Sequence, residues 1–99
     1  MPLDGTSYHG IDQAKVLAML LRAKELIREH GWCQDTSRDI EGRYCIFGAI
    51  REAGRQSGGW RAWTDLGLPW PAMWQDQPGR TVEEIYAWFD EQITKREYL

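Results

Sequence analysis

Apolar residues recur along this chain at the spacing of helix faces. Val16, Met19, Leu20, Ala23 and Ile27 fall at i, i+3, i+4, i+7 and i+11, a single stripe of the 3.6-residue period. That stripe predicts a helix over residues 11–30, with Asp12 in its first turn and Gly31 where a left-handed glycine ends helices. Lys24, Glu25, Arg28 and Glu29 alternate in sign on its solvated side. Tyr44, Phe47 and Ile50 repeat at i, i+3 and i+6, predicting a second helix from about Arg43 to Gly54. Gly48 and Ala49 in its middle would let a neighbouring helix approach closely, and Gly48 costs roughly 1 kcal/mol of helix propensity relative to Ala. Val82, Ile85, Tyr86, Phe89 and Ile93 restore the first register. Ahead of them Thr81-Val82-Glu83-Glu84 reads as a capping box, so a last helix is expected to run to about Lys95.

The segments between these runs lack periodicity. Residues 1–10, with Pro2, Gly5 and Gly10, read as a flexible leader, and 31–43 as a polar loop. Residues 54–59 read as a mobile connector and 60–66 as a short helix. Residues 68–79 hold three of the four prolines, which excludes a long helix and leaves room for one turn around 72–74. No stretch alternates with period two long enough to demand a strand. The expected fold is all-α: residues 11–99 form one small bundle of three to four helices with a Trp/Pro-rich irregular segment. The first and last helices pack antiparallel, and the Cys45 helix and Trp-rich segment cross their apolar faces.

Size and composition fit one folded domain: 99 residues, 42% hydrophobic and 27% charged, with mean hydropathy -0.59. A net charge of -3 and a pI near 5.3 argue against nucleic-acid binding, and no basic recognition helix follows Gly54. The longest apolar stretch, within residues 16–21, is far short of the roughly 20 residues that span a bilayer, so no membrane role is expected. The N-terminus has no basic region followed by an apolar one, which points to the cytoplasm and to reduced thiols. Charge is uneven. Residues 38–61 hold five Arg against three acids, and 62–99 hold three bases against seven acids. Such halves could complement each other within the fold or between subunits.

His30, Cys33 and Cys45 form one candidate constellation. Imidazole and thiolates ligate zinc, but a structural site wants four ligands and the only other His is His9, so no metal and no cofactor is expected. As an enzyme site, Cys45 would be the nucleophile, its pKa lowered by a nearby helix N-terminus, with His30 as base. Against that stand the lack of a third orienting group and the plain alternative that both cysteines fill the core. The second candidate is aromatic. Trp60, Trp63, Trp70 and Trp74 lie near Arg55, Arg61, Arg80 and Asp76. Trp and Arg are enriched at binding hot spots, and aromatics beside Arg can also stack a nucleotide base. Most of the indoles are expected to build the core. Pro-flanked Trp70 and nearby Trp74 are placed at a partner surface, with Asp76 and Arg80 on its polar rim.

Glu29-His30-Gly31-Trp32-Cys33-Gln34, Gly42-Arg43-Tyr44-Cys45 running into Gly48-Ala49-Ile50, Trp74-Gln75-Asp76, and Pro78-Gly79-Arg80-Thr81 leading into Glu84-Ile85 occur in that order. Together they resemble an uncharacterised family of small proteins in actinobacteria and their phages, domain of unknown function 6197, over roughly residues 12–94. Members usually carry a longer insertion between the two Cys-bearing segments, and Asn where Gln75 stands here. The resemblance implies a small bacterial or phage cytosolic protein and no established activity. The expected function is therefore protein–protein interaction or self-association rather than catalysis. The rivals are a small-ligand or nucleotide binder using the Trp/Arg surface, and a thiol enzyme at Cys45.

Overall fold

The computed structural model describes residues 3–57, 59, 61 and 72–97, with side chains from residue 13 onward. Among these residues the chain is helical, without a strand. The described residues include the helices α1 (Leu3–His30), α2 (Ile46–Ser57), the single turn α3 (Ala72–Gln75) and α4 (Val82–Glu97). The predicted stripe of α1 is the floor of the core. Val16, Met19, Leu20, Ala23 and Ile27 are all fully buried. On α4, Ile85, Phe89 and Ile93 are buried and Val82 and Tyr86 half-buried against them. Fully burying side chains of this size contributes about 1.5–3 kcal/mol each, which is why unbroken stripes decide where these helices lie.

α1 packs against both α2 and α4. Lys24 pairs with Asp90 at 2.6 Å, while Arg28 lies over the Tyr86 ring at 5.9 Å. Rising numbers on α1 therefore meet falling numbers on α4, the antiparallel arrangement expected.

The ends differ from expectation in instructive ways. α1 is helical from Leu3, eight residues ahead of the predicted start, so residues 3–10, read as leader, are part of the helix. Gly31 ends it with φ +97°, its amide donating to the Ile27 carbonyl at 2.7 Å, a left-handed glycine cap. α2 starts at Ile46, not near Arg43, and runs past Gly54 to Ser57. Its buried face is Ile46, Ala49, Ile50 and Ala53, with Phe47 only half-buried. Tyr44 and Cys45 precede the helix. Tyr44 bridges the incoming loop, its amide donating to Gly31 O and its carbonyl accepting from Cys33 N, both at 3.0 Å. The predicted box at α4 is present: Glu84 N donates to Thr81 Oγ1 at 3.3 Å and Thr81 N to Glu84 Oε1 at 2.9 Å. The helix predicted over 60–66 lies outside the described residues but for Arg61, which is helical.

Gly48 packs closely, but against a loop rather than a helix. A Cβ there would lie 1.9 Å from the Ser37 carbonyl oxygen, which itself accepts from Cys45 N at 3.2 Å. Gly48→Ala should therefore lower the urea midpoint, by an amount equivalent to about 1–3 kcal/mol, because the overlap outweighs the roughly 1 kcal/mol gained in helix propensity. A raised midpoint would show that the 37–38 segment does not sit on α2.

Candidate functional site

Residues 31–45 form a folded loop, tied down from two sides. At its tip Asp39 organises a turn. Its Oδ1 accepts from Glu41 N at 3.1 Å and Arg43 N at 2.9 Å, and Oδ2 pairs with Arg43 Nε at 2.6 Å. Partial desolvation pushes the Asp39 carboxyl up, but the Arg43 hydrogen bonds and charge outweigh it and hold the pKa below the usual carboxylate range. Gly42 closes the turn at φ +84° and leaves Ile40 fully exposed.

The other tie comes from α3. Gln75 is buried, and its Oε1 accepts from the Trp32 indole at 2.9 Å and from Ile46 N at 3.3 Å. Its Nε2 donates to Asp76 Oδ1, which also accepts from Asp35 N at 2.9 Å. Gln34 Nε2 donates back to the carbonyls of Gln75 and Gln77, both at 2.9 Å. Asp35 is held at φ +67° in this cluster. Asp76, expected on a partner-facing rim, thus has an internal duty.

The two thiols are buried beside the same loop. Cys45 is the N-cap of α2, and its Sγ accepts from Gly48 N at 3.3 Å. Cys33 Sγ donates to Arg43 O at 3.2 Å. The Cys45 pKa is raised by burial, despite backbone hydrogen bonds from Gly48 and Phe47 that lower it, so desolvation outweighs the expected effect of the helix end. Cys33 is also raised, by desolvation and then by the Asp39 charge. His30 is exposed and meets the edge of Tyr44 at 5.7 Å rather than either sulfur. Among the described residues no group of three or more His, Cys, Asp or Glu could hold a metal ion.

α3 and α4 enclose a groove of about 420 Å³ lined by Trp74, Arg80, Glu84, Ala87, Trp88 and Glu91. Both indoles are half-buried, resting on the core from outside. The Arg80 guanidinium lies 4.1 Å over the Trp74 ring. Its Nε donates to Trp74 O at 3.1 Å, and its terminal nitrogens reach Glu84 at 2.7 Å and Gln77 at 2.7 Å. The Glu84 carboxyl is held below its usual range by the Thr81 amide and then by Arg80. Trp74 and Arg80 are thus brought together, while Trp60, Trp63 and Trp70 lie outside the described residues. Trp88 was missed. It lies on a second stripe of α4, with Glu84, Ala87 and Glu91 at i, i+3, i+4 and i+7. The readable signal was an indole among charges on the face opposite the apolar register.

The Family of unknown function (DUF6197) matches residues 12–95, and the chain belongs to that family. No curated protein and no solved structure matches it. Among the described residues no helix is long and apolar enough to cross a membrane.

Two outcomes are expected here. Gln75→Leu should destabilise the fold by more than about 2 kcal/mol in chemical denaturation, because two buried donors lose one acceptor and each orphaned group costs about 1–3 kcal/mol. An unchanged midpoint would mean the indole and the α2 amide find other acceptors. The thiols should react with a disulfide reagent far more slowly in the native state than in urea. Since the folded pKa values lie above the unfolded ones, the unfolded chain ionises first. Stability from this source is complete below the ordinary thiol range near 8.5 and declines as pH rises through it. A native rate equal to the denatured one would reverse the reading.

Proposed function

We propose that this is a small cytoplasmic bacterial or phage protein that acts by binding another protein, and that the α3–α4 groove receives a basic segment carrying a large apolar side chain. The observation that carries the reading is the pair of half-exposed indoles, Trp74 and Trp88, facing one groove with Glu84 and Glu91 beside them. Indoles bury large apolar area when covered, and carboxylates at the edge favour a cationic partner. Residues 72–97 hold six acids against three bases, so the surrounding field has the same sign. Arg80 acts as a positioning group that holds Trp74 and offsets Glu84, and Asp76 steadies α3 from behind. Trp70, on the Pro-bracketed segment, is proposed as a further partner contact on sequence grounds alone.

Two rival readings are weaker. A nucleotide stacked on Trp74 would compete with the Arg80 guanidinium already on that ring. A thiol enzyme would have to work with two buried sulfurs whose pKa values are raised.

A Lys/Arg-rich peptide with a central Leu or Trp should shift the Trp74 and Trp88 indole N–H resonances saturably. Its acidic counterpart should not. Trp88→Ala should weaken that binding by more than about 1 kcal/mol and leave the helical circular-dichroism signal in place. Equal binding of acidic and basic peptides, or undiminished affinity in Trp88→Ala, would refute the groove as the binding surface.

A further inference from the structure

A different face of α2 carries an independent feature. Gly48, Arg51, Glu52 and Arg55 follow i, i+3, i+4 and i+7, a stripe beside the buried one. With Ser37, Arg38 and Tyr44 they line a pocket of about 150 Å³. Three guanidinium groups therefore meet one carboxylate in a chain whose net charge is -3.

That carboxylate is already engaged. Glu52 accepts from Arg55 at 3.0 Å and from Gln56 at 3.2 Å. The Arg38 guanidinium lies over the Tyr44 ring, 4.5 Å from its centroid, and Nε donates to Gly42 O at 3.3 Å. Stacking and one hydrogen bond restrain this side chain, and its two terminal nitrogens have no partner among the described residues. Arg51 makes no hydrogen bond or ion pair among them either. The pocket thus joins a restrained arginine fork to a free one, while the third is spent on Glu52.

The shape narrows the ligand. The Tyr44 ring is taken, with Arg38 over one face and His30 against it edge-to-face, so it offers no stacking platform to a base or ring. What remains is a small polar space bordered by planar five-donor groups, which match a tetrahedral oxyanion. We propose that the pocket between the 37–38 segment and α2 binds a phosphate group, either the free ion or a phosphate monoester, with Arg38 and Arg51 as its ligands. The site shares no lining residue with the α3–α4 groove, so this proposal does not rest on the one made for that groove.

The test is a titration of the full chain with inorganic phosphate, followed through the arginine Nε–H resonances, with chloride at matched ionic strength as control. Phosphate should shift Arg38 and Arg51 saturably, and chloride should not. Arg51→Ala should weaken the apparent affinity about tenfold, and Arg51→Lys by less, since a point charge replaces the fork. Arg28→Ala, on exposed α1 surface, should leave it unchanged. Arg51 is exposed, so its variants are expected to fold, and an unchanged melting temperature without phosphate checks this. O-phosphoserine separates the two sources: tighter binding than inorganic phosphate marks an ester ligand, and equal binding marks the free ion. Equal shifts with chloride, or equal weakening by Arg28→Ala and Arg51→Ala, would overturn the proposal, because the effect would then be diffuse charge.

Discussion

The amide oxygen of Gln75 is the acceptor on which the other parts converge. A helix begins with backbone amides that have no partner inside it, and burying them unpaired is costly. At α2 the first of these, Ile46 N, is met by a side chain 29 positions further along the chain. The same oxygen takes the Trp32 indole proton, so one atom joins the end of the α1 loop, the start of α2 and the turn α3. Cys45 completes the arrangement by accepting from Gly48 N through sulfur. The start of the central helix is thus assembled from three separated stretches of sequence.

This dependence explains how a 15-residue loop without strands keeps one conformation. Tyr44 exchanges backbone hydrogen bonds with Gly31 and Cys33, Asp39 gathers the tip, and Ser37 lies directly on the Gly48 backbone. Little of this is apolar burial. It is polar satisfaction in a partly dry setting, where a fully partnered network specifies geometry and a broken one is expensive. The helices supply the converse, apolar faces with most of their charges outside, Arg96 being buried. Exposed pairs such as Arg22–Glu29 and Lys95–Glu91 contribute little to stability.

The pattern of residues displayed the helical frame but not the joints. The stripes of α1 and α4 were legible because their positions, buried or half-buried, face one core over several turns. The start of α2 lies later than the pattern predicts because Tyr44 is apolar and in phase with Phe47, yet Tyr44 serves a bridge and Cys45 a cap. Sulfur is not among the usual N-cap acceptors, so the capping rule could not point to it. The helix over residues 3–10 was not readable because that stretch, with Gly5 and Gly10, carries no apolar period in the sequence. Trp74 and Arg80 were singled out as parts of one surface, whereas Gln75 looked like any polar residue in a turn. Its role depends on an indole 43 positions away, and local periodicity carries no information at that range.

Trp74 and Gln75 are consecutive residues of a helix only one turn long. One wall of the α3–α4 groove and the anchor of the α1–α2 loop therefore belong to the same small rigid piece. Reciprocity makes any coupling through that turn mutual: a ligand that favoured its seated position from the groove side would tighten the loop by the same coupling free energy, and the reverse. The pocket beneath Ser37 and Arg38 lies on that loop. Two surfaces of a 99-residue chain that share no residue thus meet in a single α-helical turn, the groove through Trp74 and the loop through Gln75.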